Sequence, residues 1–594
     1  MTARSWASLI LTAFAASFPS ASQTVRASAN ISTGAQNDAL FRSMLDELAR
    51  AKTLQLNNLD KPYFISFVSN DSEQAVIAAS LGGLTTTNVI RLRQPRIEIR
   101  VGSYAFDNTN SIYSHPQHGG LLPVDDEYQA LRTAFWLQSD ALYKSAVDEI
   151  TRKRTALREI ASPDQTPDFA PAPALKIVAP MSRLQLDRGA WEDTIRRLSA
   201  RFTAHPDVLT SSVRLLAAVT NYHLVNTEGT MVRVPENVAD LEIRADGLAP
   251  DGGKVWTHRF LNETQLSQLP SENEIAKRVD EAASEVEALK KAPLMDDYDG
   301  PVLFENQAAA ELMAQVLNDA VRLRRKPVAP PESAPRSALD SVWASRLDTR
   351  VAPDWLTIID DPTRQTAFGK GLAGFYEVDD EGVSAAKVTL VQNGVLKAFL
   401  MTRQPIRTFT ASNGHGRLPG TYGGETPVIG NLFIQASQQT PQFAMKAKLL
   451  ERIQKSGLKY GMRIQSLDFP STADLQDLED IVREMQKNGY ARTITAPLLA
   501  YKVYPDGHEE LVRGARFHEF SAKNLRDLEL ASDTPYVLNY VNNGNPFNIP
   551  GSASDATTSS VICPALLIED VEMGHTESES TKPPLVPPPA LVAQ

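Results

Sequence analysis

The chain has 594 residues, of which 42% are hydrophobic, and this length and composition indicate more than one domain with sizeable cores. Its formal net charge of −11 leaves no basic surplus to neutralise phosphates, which argues against nucleic acid as the main ligand. The charges do not gather in long acidic runs, as is typical of an ordinary solvated surface. A single cysteine cannot form an internal disulfide, so folding requires no oxidising compartment.

The first 22 residues have the pattern of a secretory signal peptide. Arg4 supplies the positive start, and Trp6 to Phe18 is a short, uncharged, mostly apolar segment. Small residues at Ser20 to Ser22 then permit cleavage before Gln23. The apolar segment is too short to span a bilayer, and no later segment is long enough to do so. We therefore predict an exported protein, periplasmic or secreted, with no membrane span; a frayed N-terminal helix is the alternative.

The pattern between residues 23 and 295 predicts long helices and an antiparallel sheet. Apolar residues at helical spacing predict helices over Ala39–Leu48, Asp125–Glu159, Trp191–Phe202 and Asn273–Lys291. Strands are predicted over Tyr63–Val68, Val89–Arg93 and Ile97–Val101, and in a meander from Val213 to Ala245. Alternating apolar and polar residues after residue 97 indicate a sheet that is solvated on one face. Pro95 marks a break or an edge, and Ala75–Leu84 fits either strand or helix.

The second half opens with an apolar strand and a helix, GPVLFENQAAAELMAQVLNDAV (Gly300–Val321). Asn393-Gly394 predicts a two-residue type I′ hairpin because both of its residues tolerate positive φ. A further hairpin is predicted around Pro505 to Gly507. The remaining predicted elements are a helix over Phe443–Ser456, a strand over Tyr460–Leu467 and a helical insertion over Thr472–Asn488. Residues 576–594 are rich in Pro, Ser and Thr, which predicts a disordered tail.

Five blocks of the second half occur in a diagnostic order: Gly300–Val321, Ala352–Pro362, Asp379–Leu400, Ala411–Gly420 and Gly430–Ile434. In this order they resemble the C-terminal half of the TldD/PmbA family. In the first half the resemblance is weaker and includes the turn Asn226–Gly229. Familiar members are cytosolic bacterial and archaeal proteins, typically a two-subunit zinc metallopeptidase with one catalytic and one non-catalytic subunit. An exported member departs from that pattern.

The predicted fold class is α+β. After the signal peptide (1–22), an N-terminal domain (23–295) combines an antiparallel sheet with long helices. A C-terminal domain (296–575) is expected to be mainly antiparallel and barrel-like, with helices packed against it. The tail (576–594) completes the chain.

In catalytic family members the helix after the GPVLF-like strand carries His-Glu-x-x-x-His. This motif places two zinc ligands and a general base on one helix face. The matching positions here are Ala314, Gln315 and Asp319, so both histidines and the glutamate are replaced. The resemblance therefore implies a member closer to the non-catalytic PmbA/TldE-type subunit.

The nine histidines do not supply an obvious replacement for the motif. His508 and His518 are each followed by glutamate, but neither has a second histidine at helical spacing. His115 and His118 lie in a Pro/Gly loop, where a weak metal site is less common than a solvated loop. His508 and His518 are interpreted as surface residues.

His415 lies in a Gly-flanked loop that resembles a family segment near the active cleft. The resemblance implies a substrate-binding role for His415 together with Asn413 and Arg417. Catalytic members also use a late cysteine as third zinc ligand, and Cys563 falls in the corresponding block. Cys563 and His415 are therefore the candidates for a remodelled metal site, with ordinary burial as the alternative for the cysteine.

Three functions remain open. The first is a non-catalytic subunit that pairs with a TldD-like catalytic subunit, or with itself, and binds unfolded peptide. In this reading the chain itself binds no cofactor, and zinc belongs to the partner. The second is an active peptidase with a remodelled metal site, and the third is an exported peptide-binding protein without catalysis.

Overall fold

A computed structural model of the protein describes residues 38–115, 120–160, 165–333, 341–470, 494–542 and 556–575. The predicted signal peptide, the helical insertion over Thr472–Asn488, the predicted tail and His118 all lie outside these ranges. The bounds of the two domains stay predictions.

The helices follow the predicted pattern closely. They are α1 (Ala39–Ala51), α2 (Tyr128–Ala156), α3 (Arg188–Ala200), α4 (Glu272–Lys291), α5 (Asn306–Ala320) and α6 (Met445–Ser456). Five of them lie within a few residues of their predicted bounds, and α5 lies within the predicted strand–helix segment. Helix α4 begins with a capping box formed by Ser271 and Glu274. In the described part of the chain, no helix combines the length and the apolar character needed to cross a membrane.

The first sheet consists of β1 (Pro62–Ser80), β2 (Gly83–Val101), β3 (Lys176–Val178), β4 (Thr210–Asn226), β5 (Met231–Leu248) and β6 (Lys254–Glu263). Its order is β2-β1-β4-β5-β3, with β6 also paired to β5. Pairing is antiparallel except between β3 and β5. Pro95 pairs with Ser69 without ending β2. Proline is tolerated there because β2 is an edge strand.

Two hydrophobic clusters cover different stretches of these long strands. Helices α1 and α2 pack on one stretch, with Phe41, Phe67 and Phe135 in the shared core. Helices α3 and α4 pack on the other, with Leu198 and Val279 in the core. The ambiguous segment after Ala75 belongs to this second stretch and is strand as far as Ser80.

The second sheet has the order β12-β11-β8-β15-β21-β7-β16-β17-β18, with β19 and β20 paired to β21. Its strands are β7 (Tyr298–Phe304), β8 (Leu356–Asp360), β11 (Val388–Gln392), β12 (Val395–Leu396), β15 (Asn431–Ala436), β16 (Gly461–Leu467), β17 (Pro497–Val503), β18 (Glu509–Val512), β19 (Ala515–Phe517), β20 (Leu528–Asn542) and β21 (Thr557–His575). Two small pairs stand apart: β9 (Thr366–Ala367) with β10 (Lys370–Gly371), and β13 (Gly416–Pro419) with β14 (Glu425–Pro427).

This second sheet is mixed and open, which corrects the barrel-like expectation for the C-terminal domain. The pairs β15–β21 and β7–β16 are parallel, and the other pairs are antiparallel. Closure would require the end strands β12 and β18 to pair, and in the described residues each pairs with one neighbour only.

The predicted hairpin at Asn393-Gly394 is confirmed. Asn393 has φ 49° and Gly394 has φ 76°, as a type I′ turn requires. A Cβ on Gly394 would lie 2.3 Å from the carbonyl oxygen of Ala352, so glycine is also needed for space. The return strand is only two residues long, shorter than the predicted one. The hairpin around Pro505 to Gly507 is confirmed as well, between β17 and β18.

Candidate functional site

Helix α5 occupies the place where catalytic relatives would carry their zinc motif. It follows β7, which lies between β21 and β16 in the sheet, and it packs on β21, β16 and β20. Its alanines and its larger apolar residues belong to the main hydrophobic cluster of the second half. The helix is therefore a core element rather than an exposed arm.

The three motif positions each have internal contacts. Ala314 is only 2% exposed and packs in the core. The Gln315 amide donates to the carbonyl of Glu311 (3.2 Å) and accepts from the N–H of Thr495 (2.9 Å). Asp319 accepts from the Arg322 guanidinium, with Nε at 2.9 Å. A methyl group, an amide bonded on both sides and a carboxylate paired with arginine do not fit a zinc site.

Cys563 lies on β21 and is fully buried. Burial raises the pKa of its thiol well above the ordinary value, and Sγ lies 3.3 Å from the carbonyl oxygen of Pro564. Zinc binds the thiolate, which this environment disfavours. Among the residues that the structure describes, no three His, Cys, Asp or Glu side chains are grouped so as to hold a metal ion. The residues present therefore do not fit the metal that the resemblance associates with catalytic members.

The loop with the predicted substrate-binding residues is packed inside the protein. His415 is fully buried, and its Nδ1 lies 2.9 Å from the carbonyl oxygen of Asn413. The Asn413 amide bridges the backbone of Met401 and Phe399, with both distances 2.8 Å. Arg417 donates to Glu236 at 2.9 Å. The structure thus gathers the three residues in one region and gives each at least one hydrogen-bond partner inside the protein. Their role in binding substrate stays a prediction.

A network of charges joins the first sheet to loops of the second half. Arg96 of β2 lies 3.6 Å from a carboxylate oxygen of Asp380 and 3.5 Å from one of Glu425. Burial raises the pKa of Glu425 to about 8 and that of Asp379 to about 6. A cavity of about 30 Å³ between these groups has room for about one water molecule. We interpret the network as a structural link between the halves.

A larger cavity, of about 430 Å³, opens at the start of α5. Seven chain segments contribute to its lining, including β6, α4, β16 and β20; lining residues include Arg259, Glu285, Asn306, Gln307, Ser466 and Tyr536. Its volume is in the range of pockets that hold small ligands or a few peptide residues. No pattern in the sequence predicts this cavity, because its residues come from distant segments and form no local motif.

The charges around this cavity are arranged in pairs. Arg259 is paired with Glu285, and Arg463 is paired with Glu305 at 2.8 Å. Glu311, one turn along α5 from the cavity, accepts from the Gln307 amide at 2.9 Å and from the N–H of Leu467. Burial raises the pKa of Glu311 to about 8. This carboxyl is therefore neutral at physiological pH, and the cavity is polar without a net charge of either sign.

Known proteins similar to this chain were found both by sequence and by fold. Residues 298–461 match the PmbA/TldA metallopeptidase C-terminal domain. A metalloprotease of Methanocaldococcus jannaschii is 39% identical over 99 residues, which cover 16% of this chain and 20% of that protein. A metalloprotease TldD homolog of Buchnera aphidicola is 35% identical over 78 residues, which cover 13% of this chain and 15% of the homolog. The matches to these two relatives thus span a fifth or less of their length.

The fold is similar over nearly the whole chain. The crystal structure of TldE from Thermococcus kodakarensis superposes with a TM-score of 0.55, covering 90% of this chain and 100% of TldE, at 13% identity. The two-sheet fold is thus similar to that of TldE, and residues 298–461 carry the domain that is typical of PmbA/TldA metallopeptidases. Over the matched segments the sequence is similar to proteins of the TldD/PmbA family.

Proposed function

We propose that this protein is a non-catalytic subunit of a TldD/PmbA-type metallopeptidase. The proposal rests on the residues that α5 carries at the positions of the zinc motif. Ala314 packs in the core, Gln315 is hydrogen-bonded to the backbone and Asp319 is paired with an arginine. The buried thiol of Cys563 adds support, because it is held in the form that does not bind zinc.

The proposed partner is a TldD-like subunit that carries the zinc ion, and a homodimer is the alternative. The similarity to TldE in fold supports this pairing, since the name TldE denotes the counterpart of TldD. The proposed substrate is unfolded peptide. A polar cavity with paired charges suits such a substrate, because a peptide main chain offers hydrogen-bond donors and acceptors but little charge.

The test combines metal analysis with a peptidase assay on the purified chain. We expect much less than one zinc ion per chain and no peptide cleavage by the chain alone, with cleavage when a TldD-like subunit bearing His-Glu-x-x-x-His is added. Stoichiometric zinc together with cleavage by the chain alone would overturn the proposal. In that case the variants Cys563→Ala and His415→Ala would show whether these residues form a remodelled site.

Export is a separate part of the proposal, and it rests on residues 1–22. We propose that the mature protein is periplasmic or secreted and begins at Gln23. N-terminal sequencing of protein isolated from the native cell would find Gln23 at the terminus. An intact Met1 in protein isolated from the cytosol would contradict it.

A further inference from the structure

The start of α5 has no hydrogen bond from the side chain of its N-cap residue. Glu305 stands at the N-cap position, but its side chain does not accept from the first turn of the helix. It pairs instead with Arg463 at 2.8 Å. The first N–H groups of any α-helix lack acceptors within the helix, and the helix dipole makes this end favourable for an anion. Glu305, Asn306 and Gln307 all line the cavity of about 430 Å³.

Ser466 supplies a second, independent feature of the same cavity. It lies on β16, is 4% exposed, and is among the residues that line the cavity. Its Oγ is buried and has no hydrogen-bond partner in the described part of the protein. Buried hydroxyl groups are nearly always paired, so an unpaired one beside a cavity indicates a ligand that accepts its proton.

The charged groups at the cavity do not oppose an anion. Glu285 is paired with Arg259. Glu305 shares Arg463 with Glu509, and Glu509 is also paired with Lys446. Glu311 is uncharged at neutral pH because burial raises its pKa to about 8. An anion that enters therefore meets the helix dipole and a hydroxyl donor without facing an unpaired carboxylate among these groups.

Amide side chains make up much of the remaining lining. Gln442 and Gln465 line the cavity, and the Oε1 atom of Gln442 is buried without a partner. A carboxamide both donates and accepts, so it matches the N–H and C=O groups of a peptide main chain. The cavity is also larger than a small inorganic anion needs and has room for a few residues.

We propose that this cavity binds the C-terminal carboxylate of a peptide, with the first-turn N–H groups of α5 and the Ser466 hydroxyl as donors. The proposal rests on the proposed peptide-binding function and adds the chemical group that is recognised. It places the anchor at the start of α5, two turns before the positions that match the lost zinc motif.

The test measures binding of a fluorescent hexapeptide to the full chain by anisotropy, with a chelator present. The peptide is used in two forms, with a free C-terminal carboxylate and with a C-terminal amide. We expect the acid to bind at least about tenfold more tightly, as is typical for hydrogen bonds to a charged group. Ser466→Ala should remove most of this preference. Gln442→Met, which keeps the volume of the side chain, should weaken both forms equally.

Ser211→Ala is the matched control, because Ser211 is also buried with an unpaired Oγ but lies on β4 and not at this cavity. It should keep the preference of the wild type. Equal binding of acid and amide by the wild type would overturn the proposal, as would an unchanged preference in a folded Ser466→Ala protein. Competition by acetate alone at the concentration at which the peptide acid binds would also overturn it, in favour of a small-anion site.

Failure of this inference and failure of the proposed function give different results. Equal binding of acid and amide by a zinc-free, partner-dependent protein would refute the carboxylate anchor alone. Stoichiometric zinc and cleavage by the chain alone would refute the proposed function. The carboxylate anchor would still be tested separately, because the ratio of acid to amide binding is measured with chelator present.

Discussion

Glu311 provides the most direct test of how the core of the second half is built. Glu311 is a buried residue of α5. The two oxygens of its carboxyl accept hydrogen bonds from neutral donors, the Gln307 amide and the N–H of Leu467. Burial raises its pKa from 4.5 to about 8, and the hydrogen bonds from Leu467 and Gln307 and the charge of Arg259 only partly oppose the shift. The protein should therefore hold Glu311 protonated at neutral pH, whereas the unfolded chain ionises it.

The sign of the effect follows from proton binding. Between pH 4.5 and 8 the folded state keeps a proton that the unfolded state releases, so stability falls as pH rises through this window. A pKa difference from 4.5 to about 8 corresponds to roughly 5 kcal/mol once both states are ionised. Glu311→Gln keeps the shape and removes the titration. It should match the wild type near pH 4 and exceed its unfolding free energy by about 3–5 kcal/mol at pH 9.

Urea unfolding at a series of pH values from 4 to 9, followed by tryptophan fluorescence, measures this difference. Glu281→Gln is the control, because the same substitution is made there at an exposed position on α4 and should change the unfolding free energy little. A difference between Glu311→Gln and wild type that stays constant with pH would refute the reasoning. A variant that loses stability relative to wild type as pH rises would show that the charged form is the favoured one.

Three further substitutions test other parts of the structure. Asp38→Ala removes the N-cap of α1 and the partner of Arg233 (2.7 Å); urea unfolding at pH 7 should show a loss of about 2–4 kcal/mol. Because hydrogen bonding keeps the pKa of Asp38 low despite burial, this loss should shrink only below pH 4. Ala314→His should cost about 1–3 kcal/mol by overpacking, with a melting temperature that added zinc does not restore. Gly374→Ala would place a Cβ 2.1 Å from the carbonyl oxygen of Gly430, and a loss of more than about 2 kcal/mol should be seen in urea.

Much of the local structure could be predicted from the sequence. The Asn393-Gly394 turn is specified by the φ preferences of two adjacent residues, and the helices are specified by apolar periodicity over one segment at a time. The order of the blocks also identified the family, and Ala314, Gln315 and Asp319 already revealed the missing zinc ligands. All of these features are encoded within short stretches of chain, so they can be read without knowing which stretches meet.

The candidate site required the tertiary structure. Nothing local shows that Ser466 would be buried with a free hydroxyl, or that it would share a cavity with the start of α5. The same is true of Glu311, whose raised pKa depends on what packs around it rather than on its neighbours in sequence. Burial and electrostatics are set by contacts between distant segments.

The sequence by itself therefore determined the helices, the hairpins, the family and the absence of the metal-binding motif from α5. Only the tertiary structure decided that the second sheet is open, that His415 is enclosed, and that a polar cavity lies at the start of α5. The physical reason is that backbone conformation depends largely on local preferences, whereas enclosure depends on how sheets and helices from the whole chain pack together.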